Sequence, residues 1–319
     1  MEVAALELPN WNPDYSFLSQ VKCPFFDPYG MRQETAEWQF ENIKTGLPIS
    51  FTICKMTALG ISVSGYGDSV FLKSAMVQSF AEAWERLWML YLKKNGPERF
   101  SNVSSSNGFA AGASLTDATN ASKEELIDRA ILMNAWEKQT GWKPHRLKGV
   151  RSRGLASLML SRGWDLRFYK ISDSSLGAIL VGLGVHKTNG AIFDSCFLSP
   201  KKKETALEIK VVRSLLKSMS FHAVLGNDPN WRFPEEGDPM DHWIFYKNPD
   251  HQKAFHFLQQ DVAAEGIIEL SRPELITTEA VFQERGFPVV AVSRHPDWPS
   301  LRWGKNSISG INPWPHPLA

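Results

Sequence analysis

Cysteine is scarce in this chain, and the scarcity is informative. Cys23, Cys54 and Cys196 are odd in number, far apart, and show no pair at zinc-ligand spacing, which excludes a disulfide framework and a cysteine zinc site and reads as free thiols in a reducing cytoplasm. Cys196, inside AIFDSCFL, reads as a strand interior. No run reaches 18 apolar residues, so no membrane span is expected, and the acidic start MEVAALELPNW is not a signal peptide. Charge of one sign is also missing: the net charge is +1, which argues against bulk binding to nucleic acid or membrane. The eight histidines include no His-Glu-x-x-His string, and no Gly-x-x-x-x-Gly-Lys-Ser/Thr loop occurs. An ATP site, if there is one, must be built without a P-loop.

Two related stretches stand out among what is present. Gly65 to Arg86 reads GYGDSVFLKSAMVQSFAEAWER, and Ser106 to Arg129 reads SNGFAAGASLTDATNASKEELIDR. Each is read as a glycine-containing loop followed by a helix. Glu82 and Glu85 share one helical face, and so do Glu125 and Asp128, because residues three apart lie on the same side. Ser114 or Thr116 caps the second helix, with Asp117 near its positive end. On its own, either copy reads as a solvated face with local ion pairs. Packed side by side, the two faces gather four carboxylates that repel one another without a cation. Hard oxygen ligands of this kind suit Mg²⁺ that also holds substrate phosphates.

These residues resemble the YcaO family. SNGFAAGASLTDA…EELIDRA is similar to its SNGLAAG signature followed by a helix ending in Glu-x-x-Glu-Arg, and SGYG…SAMVQSFAEAWER to its earlier motif. The C-terminus, NPWPHPLA from Asn312 to Ala319, resembles the proline-rich tail of the azoline-forming branch. The resemblance runs weakly through DHWIFYKNPDHQKAFHFL and spans about Ser64 to the end. It implies an ATP- and Mg²⁺-dependent cyclodehydratase of ribosomal-peptide maturation, as in bacteriocin biosynthesis. A Cys, Ser or Thr of a precursor peptide attacks the preceding amide, whose oxygen leaves as phosphate, giving a thiazoline or oxazoline.

Carried over by residue, the resemblance makes Glu82, Glu85, Glu125 and Asp128 metal ligands. It makes Gln78, Arg86, Asp117 and Arg129 nucleotide contacts. Pro313, Pro315 and Pro317 become a stiff mount for the terminal carboxylate of Ala319 as general base. Read without the resemblance, the tail is a frayed or partner-docking end. The implied partners are the precursor peptide, a separate leader-binding protein of the ubiquitin-activating-enzyme-like kind, and a flavin dehydrogenase. The chain departs from the family pattern at Tyr66 (for Lys), Gln78 (for Ser), Ala113 (for a polar amide) and Asp128 (for Glu). Two alternatives follow: an enzyme of the same family making thioamides or amidines, and a non-catalytic scaffold subunit.

The expected fold is α/β (α+β) of YcaO type, with mixed sheets, packed helices and an extended tail. The expected parts are an N-terminal segment at 1–60, an ATP-binding domain at 61–300 and the tail at 301–319. Residues 1–35 read as loop-rich, with Pro9, Pro13, Pro24 and Pro28 as breakers. Strands are expected at 49–54, 61–64, 165–170, 178–185, 191–198 and 287–293. Helices are expected at 69–93, 116–137, 155–162, 204–218, 252–258 and 278–285, with 241–248 as a connector. The 12 tryptophans are expected to serve the core or a partner surface.

Overall fold

The computed structural model describes residues 21–43, 49–100, 107–199, 202–224, 231–235, 239–260, 266–298 and 312–318. Pro9, Pro13, Ser106 and Ala319 lie outside the described residues. Alternation governs the first part of the chain. Four strands, β1 (Val21–Asp27), β2 (Arg32–Ile43), β3 (Ser50–Ala58) and β4 (Ile61–Ser69), pair antiparallel in sequence order. Cys23 and Phe25, then Ala36, Trp38 and Phe40, then Cys54, Met56 and Ala58 point to one buried face.

That face is covered by α1 (Leu72–Asn95), which buries Phe80, Trp84, Leu87, Trp88 and Tyr91. Its end is set at Gly96, whose N–H returns to the Leu92 carbonyl. Trp84 stacks on Phe287 with centroids 4.8 Å apart, and Trp88 on Phe282 at 4.6 Å. These tryptophans serve the core. Phe282 and Phe287 flank a second antiparallel sheet, formed by β5 (Phe109–Gly112), β10 (Thr277–Phe282) and β11 (Val289–Arg294) in the order β10-β11-β5.

A third antiparallel sheet follows the order β6 (Lys143–Pro144), β7 (Trp164–Asp173), β8 (Gly177–His186) and β9 (Gly190–Phe197). It is accompanied by α3 (Val150–Leu160), α4 (Glu204–Val224) and α5 (Pro239–Lys247), and by a 3-10 segment at Pro249–Gln259. α2 (Leu115–Lys138) completes the set. Contacts divide the chain into two compact units: Met1–Leu126 with Leu275–Pro296, and Ile127–Glu274 with Asp297–Ala319. The first holds the first two sheets and α1; the second holds the third sheet and α3, α4 and α5. The fold is mixed α and β, as expected, and each sheet is antiparallel.

Several local expectations are corrected. Pro24 does not break the chain, because β1 is an edge strand of its sheet, where a missing N–H is tolerated. The segment from Thr278, expected as a helix, is β10, because it pairs with β11 from Thr277↔Arg294 onward. The connector expected at 241–248 is helical as α5, and the helix expected at 252–258 is a 3-10 segment. No helix among the described residues is long and apolar enough to cross a membrane.

Candidate nucleotide and metal site

The glycines of the first motif belong to a strand, not to the loop expected for them. Gly65 and Gly67 lie within β4 and pair with Cys54 and Thr52 of β3. A Cβ on Gly65 would sit 2.2 Å from the Ser79 carbonyl oxygen, and one on Gly67 1.9 Å from that of Ala75. The two glycines therefore let α1 lie directly on β4, which fixes the height of Glu82 and Glu85 above the sheet. The second motif repeats the device: a Cβ on Gly112 of β5 would sit 2.5 Å from the Ala118 nitrogen of α2.

The start of α2 is a reciprocal cap. The Ser114 hydroxyl accepts the Asp117 N–H at 3.1 Å and donates to the Asp117 carboxylate at 2.7 Å. Asp117 is exposed and engaged at this cap. Gln78, expected to touch nucleotide, accepts the Asp68 N–H through its side-chain oxygen at 3.2 Å.

In the first unit, three of the four expected carboxylates come within electrostatic reach of one another. Glu85 is crowded by protein atoms, and its pKa is raised well above the usual carboxylate range. Burial is the largest cause, followed by the charges of Glu125 and then Glu82. Arg86 and a hydrogen bond from the Ala111 backbone pull in the other direction but do not prevail. Glu82 is held at both oxygens: one pairs with Arg86 at 2.7 Å and the other accepts the Tyr66 N–H at 2.6 Å. Arg86 also donates to the Ser64 carbonyl at 2.8 Å and lies 5.3 Å from the centre of the Tyr66 ring.

Asp128 and Arg129 are engaged within the second unit. The Asp128 carboxylate is buried; one oxygen accepts the Ser195 hydroxyl at 2.8 Å and pairs with Arg129 at 3.2 Å. Its other oxygen has no hydrogen-bond partner among the described residues. Burial raises its pKa, against the pull of Arg129 and Ser195. Arg129 also donates to Ser195 at 3.2 Å. Ser195 stands 66 residues from Arg129, and nothing in the local pattern of either segment announces the contact.

The fit of a divalent cation is decided by the first-unit cluster. Burial first, and then the charges of Glu125 and Glu82, make Glu85 retain its proton more strongly than an ordinary carboxyl, and a cation would offset the repulsion among the three. Among the described residues, no group of three or more His, Cys, Asp and Glu side chains is placed to hold a metal ion. That suits Mg²⁺, which takes one or two carboxylates and fills its shell with water and phosphate oxygens. A cation here would take one or two of these carboxylates and complete its shell in the same way.

The proline-rich tail is docked in the second unit. Pro315, His316, Pro317 and Leu318 are buried, so the alternative of a frayed end does not hold for the described residues. All three cysteines are free and buried. Burial raises their pKa values, Cys196 to about 12, which removes them as thiolate nucleophiles.

No protein-family model matches the chain, and no curated protein matches it by sequence. Solved structures do match. YcaO from Methanopyrus kandleri, bound with AMPPCP and Mg²⁺, superposes with a TM-score of 0.54 at 12% identity, over 80% of this chain and 84% of that one. A chain of the E. coli microcin synthetase complex with pro-MccB17 bound gives 0.57 at 10% identity, over 93% and 96%. A heterocyclase in complex with substrate and cofactor gives 0.53 at 12% identity, over 81% of this chain and 49% of the other. At such identities the likeness is one of fold, and the fold is that of the YcaO structures.

Proposed function

We propose, with the YcaO fold as premise, that this chain is an ATP-dependent cyclodehydratase that forms azolines in a ribosomally made precursor peptide. The observation that carries the proposal is the confrontation of Glu85 with Glu125 and Glu82, which calls for a cation. Two solved structures of the same fold add support: one is bound with AMPPCP and Mg²⁺, and the other belongs to a complex that has pro-MccB17 bound. One or two of Glu82, Glu85 and Glu125 would hold Mg²⁺, which would supply positive charge to offset that of the triphosphate. Asp128 is assigned as a further acidic contact, its free carboxylate oxygen being the one available. Arg129 and Arg86 offset phosphate charge. Asp117 and Gln78 complete the nucleotide contacts assigned to this chain.

The chemistry assigned to the site is balanced as follows. The side chain of a substrate Cys, Ser or Thr adds to the preceding amide carbonyl carbon, and its proton passes to the terminal carboxylate of Ala319. The resulting oxyanion attacks the γ-phosphorus of ATP, and ADP leaves. The nitrogen lone pair then expels phosphate to form the C=N bond, and the proton on that nitrogen is lost to water, leaving the neutral azoline. Positioning and charge supply most of the rate. A leader-binding protein and a flavin dehydrogenase are the assigned partners, the second oxidising azoline to azole.

Glu125→Gln is isosteric and leaves the buried face of α2 untouched. ATP turnover is expected to fall at least about 100-fold, as for loss of a charge-stabilising group, with an unchanged thermal midpoint. Unchanged turnover would remove Glu125 from the site. One observation favours a second reading, a scaffold subunit that has lost hydrolysis. The side-chain oxygen of the exposed Gln78 is taken by the Asp68 N–H, and Arg86 is engaged by the Ser64 carbonyl and Glu82. Titration calorimetry with Mg-ATP separates the readings, since a scaffold gives no heat of binding.

A further inference from the structure

Residues 312–318, Asn-Pro-Trp-Pro-His-Pro-Leu, belong to no strand, yet His316 and Leu318 are only 0% and 3% exposed. A buried segment without a ladder must dispose of its backbone polar groups by other means. The sequence deletes three of the seven backbone donors, since Pro313, Pro315 and Pro317 have no N–H. The Trp314 N–H donates to the Asn312 side-chain oxygen at 3.1 Å.

Side chains of the second unit then serve the acceptors. The Trp136 indole of α2 donates to the Trp314 carbonyl at 3.3 Å, and the Tyr246 hydroxyl of α5 donates to the Pro315 carbonyl. His242 of α5 meets the His316 carbonyl at 2.7 Å through Nδ1. A carbonyl can only accept, so Nδ1 carries the hydrogen. Asn312 ties the start of the segment to the Trp136 carbonyl at 2.9 Å. Three consecutive carbonyls are thus gripped from two helices, and none of the three bonds reads a tail side chain.

We propose that Trp136, Tyr246 and His242 are a backbone clamp that sets the register of the tail and, through it, the place of the terminal carboxylate. They are positioning residues, not catalytic ones. A one-residue slip would bring a different set of carbonyls to the donors and move the alternating prolines out of phase. The Pro-x-Pro-x-Pro pattern is therefore a burial device as well as a stiffener: it removes donors that the clamp has no means to satisfy. The inference rests on the terminal carboxylate being the base, and its test is arranged so that the two ideas fail separately.

The test uses the full-length chain with Tyr246→Phe, His242→Ala and His242→Asn, the last of which restores a donor close to the position of Nδ1. Tail docking is read as the release of Ala319 and Leu318 by carboxypeptidase under native conditions, followed by mass spectrometry. Turnover is read as kcat and KM for Mg-ATP. Tyr246→Phe and His242→Ala should each speed release about tenfold, the worth of one buried hydrogen bond, and His242→Asn should recover most of the protection. kcat should fall in step with docking while KM stays put. Release at the parental rate in both Tyr246→Phe and His242→Ala overturns the clamp. Faster release with kcat unchanged keeps the clamp and overturns the carboxylate's role as base.

Discussion

At the scale of single residues, glycine carries two opposite meanings in this chain. Gly67 is a contact residue: an added Cβ would meet the Ala75 carbonyl oxygen at 1.9 Å, and backbone cannot step aside as a side chain can. Gly67→Ala should cost about 3 kcal/mol, the upper part of the range for overpacking, because α1 must lift off β4. Gly154 lies exposed inside α3 with no described residue within 4 Å of its added Cβ. There alanine should stabilise by about 1 kcal/mol, the propensity difference in a helix interior. Paired urea titrations of the two variants check both signs, and a neutral Gly67→Ala would contradict the close packing of helix on strand. The sequence announced that these glycines mattered but not how. A glycine pair before a helix reads as a loop, and only the packed helix reveals that the missing side chain is the point.

Elements were legible where local periodicity and tertiary placement agree. The helical stretches expected at 69–93 and 116–137 are α1 (Leu72–Asn95) and α2 (Leu115–Lys138), both long. The apolar run AILVGLGV is β8, buried along most of its length. The errors arose where distant pairing decides. The first two strands were hidden by Pro24 and Pro28, although Ala36, Trp38 and Phe40 alternate within β2. β10 depends on its partner β11.

The same lesson holds for α3, whose N-terminus is served from α4. Glu208 is fully buried and accepts N–H bonds from Lys148 at 2.9 Å and Gly149 at 2.8 Å, and the Ser152 hydroxyl at 2.8 Å. Burial pushes the carboxyl up, but these bonds, with His145, outweigh it and hold the pKa below its usual 4.5. A depressed carboxyl pKa stabilises the fold above the unfolded value, and that stability is lost as pH falls through the folded one. Glu208→Ala should cost about 3 kcal/mol at neutral pH, as expected for a broken buried charge network. The difference from the parent should shrink below pH 4.5. Denaturant titrations at neutral pH and in acid check it; a difference independent of pH would refute the capping role.

For the whole molecule, the test is whether occupancy of the acidic cluster reports on the fold that builds it. In the ligand-free protein, Glu85 keeps its proton to a higher pH than an ordinary carboxyl, chiefly through burial and the charges of Glu125 and Glu82. A bound cation needs the carboxylate, so binding must release that proton. The affinity for Mg-ATP should therefore rise with pH across the interval above 4.5 in which Glu85 ionises, and level off above it. At 100 times the dissociation constant, Mg-ATP should add about 2.7 kcal/mol of stability by mass action, seen as a higher thermal midpoint that chelation of Mg²⁺ abolishes. Glu125→Gln removes a negative charge that helps hold the proton on Glu85, so any residual binding should depend less steeply on pH. A midpoint unmoved by Mg-ATP at every pH would leave the three glutamates without a cation to share, and the scaffold reading would stand in place of the enzyme.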